Sequence, residues 1–194
     1  MEGLQRPRQH GGGRLRELTA IPGRRHQAAS SVEPERSKGR SMTLSLHAFA
    51  EIPTEDWIGL LNHPDVIRHM PLSTGEWTEK AVADWAKGKD AQWLANGYGP
   101  WALRIDGSFA GWGGFQMEGD EADLALVLLP TYWGHGAMIF RHFMARRHAL
   151  GIGPVSILLP PSRTRLRGLA RLGFQLVGEL AYEGQRFLKF QTAG

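Results

Sequence analysis

The stretch Trp133-Gly134-His135-Gly136-Ala137-Met138 carries the residue types best suited to hold an anion. An apolar run, Leu124 to Leu129, leads into it, and apolar residues at helical spacing, Ile139, Phe140, Phe143, Met144 and Leu150, follow it. Two glycines therefore stand between a buried strand and a helix start. The first N–H groups of a helix lack partners within it and carry the positive end of its dipole, and glycine lets a phosphate approach them closely. The pattern predicts a site for a phosphorylated cofactor.

Asp123 opens the apolar run and is the one polar group in it, which makes it a candidate general base. An aspartate normally titrates near 3.9, too low for that task, so the role requires burial or a bridging water. The alternative is that Asp123 simply marks the exposed start of a strand. Glu118 and Glu121 are the other candidate bases.

Several chemistries are excluded by what is missing. Without cysteine there is no disulfide framework, thiolate zinc site or cysteine nucleophile. No Gly-x-Ser-x-Gly or Gly-Lys-Ser/Thr motif is present, which removes the central residues of common hydrolases and nucleotide triphosphatases. His63 and His69 lack carboxylates at ligand spacing, so no metal site is expected. Of the seven tryptophans most belong in a core, while Trp57, Trp101 and Trp112 are candidates to line an acceptor pocket.

The elements that must position these groups begin at Met42. Leu44, Leu46 and Phe49 suggest a strand; Pro53-Thr54 precedes a helix through Leu61, and His63-Pro64 interrupts it, with an irregular segment to Gly75. Thr78 opens a second helix that ends near Asn96-Gly97. Strands over 101–105 and 108–115 meet at Asp106-Gly107, a strong hairpin signal. The run 123–129, apolar on both faces beyond its first residue, should be central in a sheet. After the glycine-flanked helix, a strand at 155–159 stops at Pro160-Pro161. Ser162 is then expected to cap a helix to Arg171, and strands from Phe174 to Val177 and Phe187 to Phe190 close the chain. This order predicts an α/β (α+β) fold around a mixed, largely antiparallel sheet.

At 194 residues and 42% hydrophobic, the chain can build one core. Residues 1–41 hold nine basic and four acidic side chains, a net +5 that leaves the remainder at −1 against a total of +4. That segment, with its Gly11-Gly12-Gly13 run and three prolines, is expected to be a disordered basic extension of an ordered domain over 42–194. A nearly neutral body gives no footprint for nucleic acid. No apolar stretch is long enough for a bilayer and no secretory signal is seen, so a cytoplasmic location is expected.

The order of elements, the loop Tyr132 to Phe140 after a central strand, and the later run Leu169 to Glu179 together resemble the GNAT superfamily of N-acetyltransferases, in particular the branch that acetylates ribosomal-protein N-termini. The resemblance covers about Thr43 to Phe190 and implies acetyl-CoA as co-substrate, direct transfer to an amine within a ternary complex, no metal, and a monomer or homodimer. It implies that the backbone amides of Trp133, Gly134, His135, Gly136, Ala137 and Met138 bind the pyrophosphate, with Met138 standing where a small residue is usual. It also implies that N–H groups around Val127, Leu128 and Leu129 stabilise the developing oxyanion. Ser162 and Arg165 occupy the places of the branch's Asn and Ser; Arg163 and Arg167 are candidates for the cofactor's 3′-phosphate, and Tyr182 for the general acid. The acceptor is expected to be a primary amine, a protein N-terminus being the first candidate. The alternatives are a small amine or antibiotic, or a non-catalytic CoA-binding regulatory module.

Overall fold

The computed structural model describes residues 42–73, 75–163 and 166–193. The basic extension expected at 1–41 lies outside the described residues. Seven strands form one sheet: β1 (Leu44–His47), β2 (Pro100–Ile105), β3 (Ser108–Glu118), β4 (Glu121–Leu128), β5 (Val155–Leu159), β6 (Phe174–Tyr182) and β7 (Gln185–Thr192). Their order across the sheet is β1-β2-β3-β4-β5-β7-β6, and β4, the most continuously apolar strand, is fourth. Every pairing is antiparallel except β4 with β5. The mixed, mostly antiparallel α/β architecture predicted from the element order is present.

The helices are α1 (Thr54–Leu61), α2 (Pro64–Ile67), α3 (Glu79–Asn96), α4 (Gly136–Arg146) and α5 (Arg167–Arg171). Thr78 caps α3 by accepting from the Ala81 N–H at 3.3 Å, and Gly97 ends it at φ 76, a conformation that costs glycine little. The segment after α1 was expected to be irregular, but its first residues make α2. Pro64 sits at the first helical position and the His63 Nδ1 accepts from the Asp65 N–H at 3.2 Å, so one turn is closed at both the φ and the donor it needs.

Two apolar clusters cover the two faces of the sheet. One packs α4, through Ile139, Phe140 and Phe143, on Leu124 and Leu128 of β4 and on their neighbours. The other packs α1 and α3 on the opposite face, where Phe49, Trp57, Phe109 and Trp112 form a nest of edge and stacked aromatic contacts. The α3 helix is also held by polar contacts: Asp90 accepts from the N–H groups of Phe49 and Ala50 at 2.8 and 2.9 Å.

A bulge in β3 sets the line of β4. Its register against β2 shifts between Leu103 and Arg104, and Gly111 there has φ 140. A Cβ on Gly111 would collide with the Val127 carbonyl oxygen, so only glycine allows β3 and β4 to lie this close. Bulges increase local twist. Consistent with that, β4 pairs with β5 only at Ala122–Val155 and Asp123–Ser156, after which the two strands part and β5 continues its pairing with β7.

Candidate functional site

The parting of β4 and β5 opens a cavity of about 860 Å³ that runs along β4. Its walls include Asp123 and Ser156 where the strands are still joined, Leu126 and Val127 further along, and Gly136 and Arg163 towards α4. From Asp123 to Leu128 the strand advances roughly 17 Å at about 3.3 Å per residue. Such a length can separate an anchored phosphate from a reacting group.

At the α4 end, residues 130–135 form tight 3-10 turns and α4 starts at Gly136, where no side chain caps the helix. The indole of Trp133, 47% exposed, donates to the Leu128 carbonyl at 2.8 Å and so ties the loop to the end of β4. A Cβ on Gly134 would meet nothing within 4 Å, and one on Gly136 would meet only Leu126 Cδ2 at 3.8 Å. The protein itself does not require glycine at either place; the open space above the backbone is what a close-lying phosphate would use. The Met138 side chain, which stands where a small residue was expected, is partly buried and packs against the α4-side core. Ala137 is exposed and His135 is partly buried, its ring 6.2 Å from that of Tyr132.

Hydrogen bonding along β4 sorts the three residues expected to face the oxyanion. The Leu129 N–H donates to the Ala110 carbonyl at 2.9 Å and is already committed. Alternation in an antiparallel ladder then turns Val127 towards β3 and Leu128 towards the open edge. The Leu128 carbonyl, bonded to Trp133, lies on that open edge as the alternation requires. Of the three amides, that of Leu128 points to the open edge, where the residue borders a smaller cavity of about 340 Å³.

At the other end Asp123 is 7% exposed, and its Oδ1 is buried without a hydrogen-bond partner. Burial pushes its carboxyl up to about 7, opposed by a hydrogen bond from Gln116 and by the charge of Lys89. It is therefore a buried group and does not mark an exposed strand start. Glu118 and Asp120 are exposed on the adjoining wall, while Glu121 is held by Lys189 at 2.6 Å. Tyr182 lines the same cavity and is half-exposed.

Other expected residues are not brought together. Trp57 is 1% exposed within the aromatic nest, Trp112 is buried beside it, and Trp101 stacks on Phe143 at 5.6 Å on the opposite face. None of the three lines the cavity. Ser162 does not cap a helix, because the double proline starts a turn in which the Arg163 N–H donates to the Pro160 carbonyl at 3.0 Å, and α5 begins only at Arg167. Arg163 is exposed and borders the cavity. Arg165 and the side chain of Arg167 lie outside the described residues. Among the described residues, no three His, Asp or Glu side chains gather as a metal site would need.

In the sequence His69 has no carboxylate at ligand spacing and stands alone. In space it borders both the main cavity and a second one of about 340 Å³, which Val66, Met70 and Trp133 also line. Its ring meets Trp133 edge-on at 5.6 Å. Burial, with the charges of Arg163 and Arg68, lowers its pKa and favours the neutral imidazole.

Comparison with known proteins places this arrangement. The family profile described as "Acetyltransferase (GNAT) domain" matches residues 44–174, more than half of the chain. The chain belongs to the GNAT acetyltransferase family. Its fold is similar to that of a Bordetella pertussis protein described as a GnaT-family acetyltransferase, at 21% identity and TM-score 0.64 over 77% of this chain and 95% of that one. It is also similar to the Agrobacterium tumefaciens acetyltransferase, at 16% identity and TM-score 0.62 over 88% and 99%. A third similar fold is RimL, a ribosomal-protein alpha-N-acetyltransferase solved with coenzyme A, at 17% identity and TM-score 0.63 over 78% and 94%. Among curated proteins no sequence matches. As a member of this family the chain is an acetyltransferase. Among the described residues no helix is long and apolar enough to cross a membrane.

Proposed function

We propose that this enzyme moves an acetyl group from acetyl-CoA directly to a primary amine, with Asp123 as the general base. The observation that carries the proposal is the buried Asp123 carboxyl, its Oδ1 unpartnered, in the wall of the cavity that begins where β4 and β5 part. Acetyl-CoA, when bound, supplies the activated acetyl group and accepts the departing electron pair on sulfur.

The chain's own groups divide the remaining work. The first-turn amides of α4, at Gly136, Ala137 and Met138, with those of the 133–135 loop, would hold the pyrophosphate; Arg163, at the cavity's border, would add a guanidinium for phosphate. The Leu128 N–H, on the open edge of β4, would donate to the carbonyl oxygen as it gains charge. Asp123, in its ionised form, would take the proton that the amine sheds through water in the cavity, since it lies roughly 17 Å along β4 from Leu128. A base near 7 is well matched to an α-amino group, which titrates near 8, and poorly matched to an ordinary lysine near 10.4. Tyr182, on the same wall, is the candidate proton donor to the thiolate.

Acceptor choice follows from charge and pKa. Glu118 and Asp120 give the β3–β4 end of the cavity a negative rim that attracts an ammonium. Together with the moderate basicity of Asp123, this favours an α-amine, as at a protein N-terminus. A free small amine is the second possibility, since the same acidic rim and the same base would serve it. Thiol release from acetyl-CoA, measured with N-terminal peptides and with small amines, tests the proposal. Turnover with peptides above that with small amines supports the first acceptor class. Tight acetyl-CoA binding without turnover on any amine would instead indicate a non-catalytic CoA-binding module.

A further inference from the structure

We propose that Lys89 and Gln116 are positioning residues for Asp123: Lys89 orients the Gln116 amide, whose single hydrogen bond occupies Oδ2 and leaves Oδ1 as the atom that receives the proton. The inference rests on the proposed role of Asp123 as the base. Gln116 and Asp123 face each other across β3 and β4, so the sheet fixes their separation. On the same face Lys89 extends from α3, its ammonium 4.8 Å from the centre of the Trp112 ring.

The direction of the chain follows from donor chemistry. An ammonium can only donate, so Lys89 Nζ, 2.6 Å from Gln116 Oε1, must meet the amide's carbonyl oxygen. The amide nitrogen is thereby turned the other way, where Gln116 Nε2 donates to Asp123 Oδ2 at 3.4 Å. With the amide flipped, two donors would face each other at Lys89. Gln116 is 8% exposed and Asp123 7%, so water has little access to compete with either bond. Oδ1 makes no hydrogen bond of good geometry beside the cavity, although the Leu158 backbone of β5 lies near enough to favour the carboxylate.

Asp123 meets opposing charges from the elements around it. Lys89 approaches from α3 and Glu118 from β3, the first favouring the carboxylate and the second opposing it. Glu121, two residues earlier on the same face of β4, is tied to Lys189 of β7. Gln116 and Lys89 together therefore offset part of the desolvation that burial imposes on Asp123. Removing either should make the carboxyl harder to ionise.

A ¹³C-carboxyl NMR titration of the full chain, with the Asp123 signal assigned by its loss in Asp123→Asn, tests this directly. Gln116→Leu and Lys89→Met are each expected to raise the Asp123 midpoint by about one pH unit, while Lys89→Arg stays near the parent. If Lys89→Met does not fold, Lys89→Gln replaces it, keeping a donor without the charge. Because Lys89 acts partly through Gln116 and partly by its own charge, the double variant should shift less than the sum of the two single changes. An unmoved midpoint in Gln116→Leu, or fully additive shifts, would overturn the linkage. The acid limb of acetyl-CoA thiol release should move with the midpoint. A midpoint that moves while the limb stays would uphold the linkage and overturn Asp123 as the base.

Discussion

Burial of Asp123 makes its ionised form costly, and that cost has a definite sign in pH. Well below about pH 4 the carboxyl is neutral in folded and unfolded chains alike. As pH rises, the unfolded chain gives up the proton first, while the folded chain holds it until about 7. The stability contributed by this group is thus fully present at acid pH and is lost as pH climbs through about 7. Asp123→Asn cannot titrate. The parent minus variant difference in unfolding free energy is expected to fall by up to a few kcal/mol between about pH 4 and about 7, then level off; chemical denaturation at several pH values measures it. Gly136 offers a second contrast at this scale. Since a Cβ there has only an ordinary 3.8 Å contact, Gly136→Ala should fold at least as well as the parent. Calorimetric titration should nevertheless find acetyl-CoA binding weakened in Gly136→Ala and abolished in Gly136→Trp. Unchanged affinity in both would remove the α4 start from the cofactor site.

At the scale of elements, the start of α4 combines a ligand-facing backbone with a core-facing side chain. Met138 packs inward, so its size does not crowd the amides around it. Met138→Ala is expected to cost about 1–3 kcal/mol of stability, as for a partly buried methionine, with acetyl-CoA affinity of the folded variant within a few-fold of the parent; urea unfolding paired with a binding isotherm separates the two effects. Local signals explain what could be read in the sequence. Asp106-Gly107 announces its hairpin because both residues take positive φ, 50 and 82. The β6–β7 turn at Glu183-Gly184 uses the same geometry, with φ 47 and 76, but glutamate is not a turn residue and mostly exposed β6 lacks alternation. Its strands therefore run longer than expected. Lys89 did leave a trace: it falls seven residues after Val82 and three after Ala86, on the apolar stripe of α3, where a cation needs a partner. The partner itself, and the pairing of His69 with Trp133, depend on long-range packing that no spacing encodes.

Across the whole molecule, one structural event produces the site. The β3 bulge and the early end of β4–β5 pairing open the sheet at its centre, and the opening has chemically different ends. Arg163 and the uncapped start of α4 lie towards one, Asp123 with Glu118 and Asp120 towards the other. A phosphate-bearing cofactor and a cationic amine would thus be drawn to opposite ends of a shared space. The fold and the loop were legible because strands, turns and glycines write local patterns; the geometry of the base was not, because Asp123 acquires its basicity chiefly from burial. The pH dependence of thiol release from acetyl-CoA, with an N-terminal peptide as acceptor and compared between the parent and Asp123→Asn, tests the account most directly. From about pH 5 to about 9 the parent should show an acid limb with a midpoint near 7, and the variant should lose that limb together with about 10²–10⁴-fold in rate while still binding acetyl-CoA. A variant that keeps the parental rate and the same limb would contradict it.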